Sequence, residues 1–262
     1  MNAAQLHAYL AQQLPAHPAD FWPIWLIALT VAWLGLCALL LLHALLRRRY
    51  PAPAAHGTQE RLYLYPLYLR LWHGVNALLF LFLLISGLLT HFALLPVAAT
   101  HWLVQAHPYA GYLLLILWCG FLALNLFGPN GRHYRVAWSG LAARCMRQAR
   151  FYLIGIFHAE PHPFVATRTQ KFNPLQQLGY CSVMFGMVPL LFLSGLCLTN
   201  PQWLPLGAAY WILQGHLLLS LFSLMFISAH IYLCTLGETW GETFMAMLDG
   251  YHRHRVHTVE NE

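Results

Sequence analysis

Residues Trp211–Leu236 read WILQGHLLLSLFSLMFISAHIYLCTL, and this stretch decides the fold. It carries no Lys, Arg, Asp or Glu. About 20 apolar residues take a helix across a hydrocarbon core of roughly 30 Å at 1.5 Å per residue. Two ionisable side chains nevertheless sit inside it, His216 and His230. An imidazole within lipid is costly and calls for a specific partner. They are 14 residues apart, about four turns, so both rings share one face, roughly 21 Å apart along the axis.

Four more stretches of the same kind lie upstream: Phe21–Leu46, Leu71–Phe92, His107–Phe127 and Leu175–Leu198. Charged residues are 8% of the chain, the hydrophobic share is 59% and the mean hydropathy is +0.54. A soluble domain carries about a quarter charged residues. The fold class expected is therefore all-α, an integral membrane helical bundle of five transmembrane helices. Phe21–Leu46 does not read as a cleaved signal, because no Lys or Arg precedes it and it ends in Arg47-Arg48-Arg49.

All 14 Lys and Arg fall between Arg47 and Arg70, between Arg132 and Lys171, or at Arg253 and Arg255. With five spans these are alternate loops and the C-terminus, on one side of the membrane. The positive-inside rule makes that side cytoplasmic and puts the N-terminus outside, on the periplasmic face of a bacterial inner membrane. The net charge of +6 is thus a topology signal and points to the lipid bilayer, not to nucleic acid. Six cysteines form no CxxC, and CxxCH is absent, which excludes covalently attached haem.

Imidazole is an axial haem ligand, and facing helices can hold the macrocycle between them. Two histidines on one face at this spacing would place one haem in each half of the bilayer. Each then needs a second ligand at matching depth. His73, near the cytoplasmic start of the second span, matches His230. For His216 the choice lies between His91 and His107. His91 is 18 residues from His73, roughly 27 Å, which overshoots the spacing on the fifth span. His107 precedes Pro108, a residue suited to opening a helix, with Gly111 one turn on; His107 is the choice. His43 has no unclaimed partner at its depth and reads as a packed or snorkelling side chain. Ser86-Gly87, Gly111, Gly186, Gly195 and Gly215 offer small surfaces for a flat porphyrin, or for ordinary helix contacts. Arg70 could pair with a haem propionate or anchor the span as a positive-inside residue. His133 and eight other histidines in polar segments read as solvated.

Four motifs, Tyr65-Pro-Leu-Tyr-Leu-Arg-Leu-Trp-His73-Gly-Val-Asn, His107-Pro-Tyr-Ala-Gly111, Lys171-Phe-Asn173-Pro-Leu-Gln-Gln177 and the His216/His230 pair, occur in this order. In them the chain resembles the di-haem cytochrome b subunits of membrane-bound formate dehydrogenases, nickel–iron hydrogenases and thiosulfate reductases. The resemblance implies two haem b groups, an inner one on His73 and His230 and an outer one on His107 and His216. It also implies menaquinone or ubiquinone near the inner haem, with Asn173 at the quinone pocket and Lys171 and Gln177 beside it. Read from the residues alone, Asn173-Pro174 before an apolar run is a helix N-cap. The family's four-helix core maps to residues 61–250. Residues 1–60 add an external N-terminus, one extra helix and a cytoplasmic linker, and residues 251–262 form a cytoplasmic tail.

The function expected is a membrane-anchoring subunit that carries electrons between membrane quinone and a redox partner subunit on the periplasmic face. That partner would be a molybdenum, nickel–iron or iron–sulfur/multihaem protein, since no loop here is large enough for such chemistry. The alternatives are a self-contained transmembrane haem reductase for an external acceptor and a haem-free anchor. Glu238 and Glu242 read as solvated surface, with a proton relay as the other reading.

Overall fold

The computed structural model describes residues 23–50, 58–158, 160–237 and 241–256. The external segment before Phe21 and Glu238 lie outside those residues. Five helices are long and apolar enough to cross a membrane. The first three are Ile24–Arg49 (α1), Leu67–His91 (α2) and Val97–Phe127 (α3). The fourth is built from Pro174–Ser182 (α5), a π turn at Val183–Met187 and Val188–Thr199 (α6). The fifth is Ala208–Leu233 (α7). Between the third and fourth lies a shorter helix, Leu141–Leu153 (α4), and after the fifth comes Glu242–Asp249 (α8). Large apolar side chains such as Ile24, Val31, Ile116, Phe127 and Trp211 stand more than half exposed on the spans. Water would not tolerate so much exposed apolar surface, whereas lipid does. This is an all-α membrane fold.

The third span corrects the sequence reading. It was expected to open at His107, but α3 starts at Val97 and carries Pro108 in its interior. Pro108 forfeits one hydrogen bond, to the carbonyl of Val104, and its ring crowds the preceding turn. A helix packed in a membrane protein absorbs that loss, because its neighbours re-satisfy the freed group. Ala93, at φ 49°, sits in the short loop this leaves after α2. The π turn in the fourth span falls where Pro189 follows. Proline offers no N–H to the carbonyl four residues back, so the ladder widens there instead of breaking.

The sequence reading contained no strand, yet Thr58–Tyr63 (β1) pairs antiparallel with Tyr251–Val256 (β2), Thr58 opposite Val256 and Tyr63 opposite Tyr251. Gly250 makes the junction with α8. Its φ of 88° favours glycine, and a Cβ there would lie 2.6 Å from both the Tyr63 ring and the Tyr65 carbonyl. Its carbonyl accepts from the amides of Leu64 and Tyr65 at 3.0 and 3.1 Å.

The chain divides into two compact units. The first comprises the described part of Met1–Leu39 with Leu78–Ile116 and Met184–Ser228; the second comprises Leu40–Ala77, Leu117–Val183 and the described part of Ala229–Glu262. The extra helix α1 is tied within each. In the first unit Trp33 Nε1 donates to Ser228 Oγ at 3.0 Å. In the second, His43 bonds the Tyr232 hydroxyl through Nδ1 and meets the Tyr152 carbonyl at 2.8 Å through Nε2.

Candidate functional site

In the first unit α3 and α7 bring His107 and His216 together, ring centres 6.4 Å apart and planes at 69°. Each ring is held from behind by a serine. Ser86 Oγ on α2 lies 2.8 Å from His107 Nδ1, and Ser194 Oγ on α6 lies 2.8 Å from His216 Nδ1. Both hydroxyls also reach carbonyls of their own helices: Ser86 that of Leu83 at 3.2 Å, Ser194 that of Leu190 at 2.7 Å. The residue after each serine is glycine. A Cβ on Gly87 would stand 3.5 Å from His107 Cε1, and one on Gly195 would stand 3.6 Å from His216 Cε1. These glycines, read from sequence as surfaces for a macrocycle, lie against the imidazoles themselves.

In the second unit α2 and α7 bring His73 and His230 together, ring centres 6.3 Å apart and planes at 50°. Tyr180 of α5 meets His230 edge-on at 5.9 Å. Trp72, next to His73, donates to the Leu117 carbonyl at 3.0 Å and stacks on Phe121 at 5.2 Å, fixing the start of α2 against α3. His91 meets Phe92, at 4.8 Å.

The remaining predicted residues cluster in the second unit, where most of them serve the local framework. Asn173 is 2% exposed and caps α5. Its Oδ1 accepts from the Gln176 amide at 2.9 Å, Gln176 Oε1 accepts from the Asn173 amide at 3.1 Å, and Asn173 Nδ2 donates to the Tyr152 hydroxyl at 3.0 Å. This reciprocal pair is a capping box. Gln177 spends Nε2 on the carbonyls of His133 and Arg135, at 2.8 and 3.1 Å. Lys171 donates to Asn130 Oδ1 at 3.4 Å and stands 6.0 Å from the Tyr65 ring centre. Arg70 donates to the Leu248 carbonyl, while its buried Nε has no hydrogen-bond partner.

Two polar residues read as solvated are not. His133 is 3% exposed, and Glu242, at the start of α8, is buried too. His133 lies in the 3-10 turn Pro129–Tyr134, whose His133 carbonyl accepts from Gln177 Nε2. The serines behind His107 and His216 were not singled out as histidine partners. The repeated dipeptide Ser-Gly on the second and fourth spans is the signal that could have found them.

Both pairs fit a macrocycle-bound metal. A metal–imidazole bond of about 2 Å, with the ring centre roughly 1.1 Å behind the nitrogen, would put the ring centres of two opposed imidazoles about 6.2 Å apart. Among the described residues no group of three or more His, Cys, Asp or Glu is placed to hold a metal ion. Each pair therefore supplies two imidazoles, and a porphyrin brings the other donors itself.

The family model described as prokaryotic cytochrome b561 matches residues 64–250. The Escherichia coli (strain K12) protein named "Putative cytochrome YdhU" is 48% identical over 257 residues, covering 97% of this chain and 98% of that protein. No solved structure matches the chain.

Proposed function

The chain belongs to the prokaryotic cytochrome b561 family, and from that membership we propose that it binds two b-type haems, one on His107 and His216 and one on His73 and His230. The observation that carries this reading is the equality of the two histidine spacings, 6.4 and 6.3 Å. Both spacings would leave room for a haem held between the two imidazoles. Haem, when bound, supplies reversible one-electron chemistry. The chain's own part would be to present four imidazoles, half-buried among the helices, and to set their spacing. His216 and His230 sit on the continuous helix α7, where 14 residues correspond to about 21 Å of rise.

The function supported best is electron transfer across the membrane, between a redox partner subunit outside and membrane quinone, menaquinone or ubiquinone, at the cytoplasmic side. The segregation of Lys and Arg supports this orientation, with the N-terminus periplasmic. For the quinone, Asn173 is the residue to bind it. One Nδ2 hydrogen goes to Tyr152, which leaves the second to offer a quinone carbonyl.

Replacing His216 by Ala should remove one haem and leave the spectrum of the other, and His73→Ala should do the converse. Retention of both haems in either variant would reject the ligand assignment.

A further inference from the structure

We propose that Ser86 and Ser194 are positioning residues that fix the tautomer of His107 and His216 and hold the redox potential of that site down. The inference deepens the haem reading above and rests on it. A serine hydroxyl has one hydrogen to give and lone pairs to accept with. Both hydroxyls lie within reach of carbonyls of their own helices, at 3.2 Å for Ser86 and at 2.7 and 3.1 Å for Ser194. A carbonyl can only accept, so the hydroxyl hydrogen belongs to it, as in the usual back-bonding of serine within a helix. The oxygen is then left to accept from Nδ1–H of the imidazole 2.8 Å away. With the proton on Nδ1, the lone pair is on Nε2, the nitrogen a metal would bind.

The arrangement occurs twice, on helices that share no sequence segment, with the same oxygen-to-nitrogen distance and a glycine following each time. The glycine lets the imidazole edge approach the helix that carries the serine. An acceptor on the far nitrogen also makes the ligating nitrogen more basic. A more basic ligand favours the oxidised metal, so the two serines lower the midpoint potential of the site they serve.

The test is a spectroscopic redox titration of the purified full-length protein, parent against Ser86→Ala, Ser194→Ala and the double variant. One of the two haem transitions should move to higher potential in each single variant and further in the double, with the other transition unmoved. The haem of that site should also bind roughly tenfold more weakly, read by its transfer to an added haem-scavenging protein. Ser194→Thr keeps the hydroxyl and should restore the parental potential. Ser86 is 1% exposed, so its near-isosteric variant is Ser86→Cys, a weaker acceptor that should fall between Ser and Ala. Unchanged potentials in both Ala variants would overturn the proposal, as would a Thr variant that shifts, or loses haem, as far as Ser194→Ala. Where an Ala variant loses the haem outright, a Thr variant at the parental potential supports the proposal. A parent protein with fewer than two haems would defeat the underlying haem reading instead.

Discussion

A histidine that faces another at 6.4 Å with its far nitrogen on a serine is a different object from one that only fills space. His43 shows the second kind: both of its nitrogens are engaged, by Tyr232 and by the Tyr152 carbonyl. The sequence distinguishes the two through spacing, because 14 residues on one helix bring both rings to one face. It does not distinguish His133 from a solvated histidine, since every close neighbour in Gly128–Arg135 but Tyr134 is a polar or turn residue. Burial there depends on Gln177, 44 positions along the chain, which ties down the His133 carbonyl. Burial first, and then the charges of Lys171 and Arg132, hold the His133 imidazole down at about 4, against an ordinary 6.5. The unfolded chain therefore takes up the proton more readily between those values, and folding stability is complete above pH 6.5 and lost as pH falls towards about 4. Thermal midpoints measured from pH 7 to pH 5 should fall less steeply for His133→Gln than for the parent; parallel curves would remove His133 from the account.

Elements were legible where a period or a cap announces them. All five spans stand in the sequence as apolar runs, and Asn173-Pro174 announces the start of α5, where the capping box forms. The start of α3 was misplaced because Pro108 looks like a helix opener, while the stretch from Val97 carries no breaker to oppose a helix. Strands β1 and β2 are hard to read from sequence because TQERLY and YHRHRV carry polar residues on both faces, and their partners lie nearly 200 residues apart. Asn173 has two parts, and substitutions can separate them. Asn173→Ala should cost about 1 kcal/mol through the lost cap and also slow haem oxidation or reduction by quinone. Asn173→Asp keeps the capping oxygen but loses the amide hydrogens. It should keep the stability and show the slower quinone kinetics, with both haem spectra intact. Stopped-flow rates equal to the parent in both variants would move the quinone site elsewhere.

At the scale of the whole molecule, the proposal is a wire: two histidine pairs that share one helix, α7, with all Lys and Arg gathered in three stretches of sequence that the positive-inside rule would assign to the cytoplasmic side. The division of the chain into two units places one pair in each, His107 and His216 in the first and His73 and His230 in the second. The sequence points to those pairs through depth along the helices, because rise per residue is nearly invariant in an α-helix, and for His107 also through Pro108 as a helix opener, a reading that α3 overturns. For the serines the sequence offers only the repeated Ser-Gly dipeptide, and adjacency in space is what pairs them with the histidines. A reporter fused after Glu262 should be active only when cytoplasmic in type; activity of a periplasm-dependent reporter there would reverse the direction of the wire. The central claim, two haems on four histidines, is tested most directly by pyridine haemochrome analysis of the purified protein against its chain concentration. Two b-type haems per chain are predicted; one haem, or none, would contradict it.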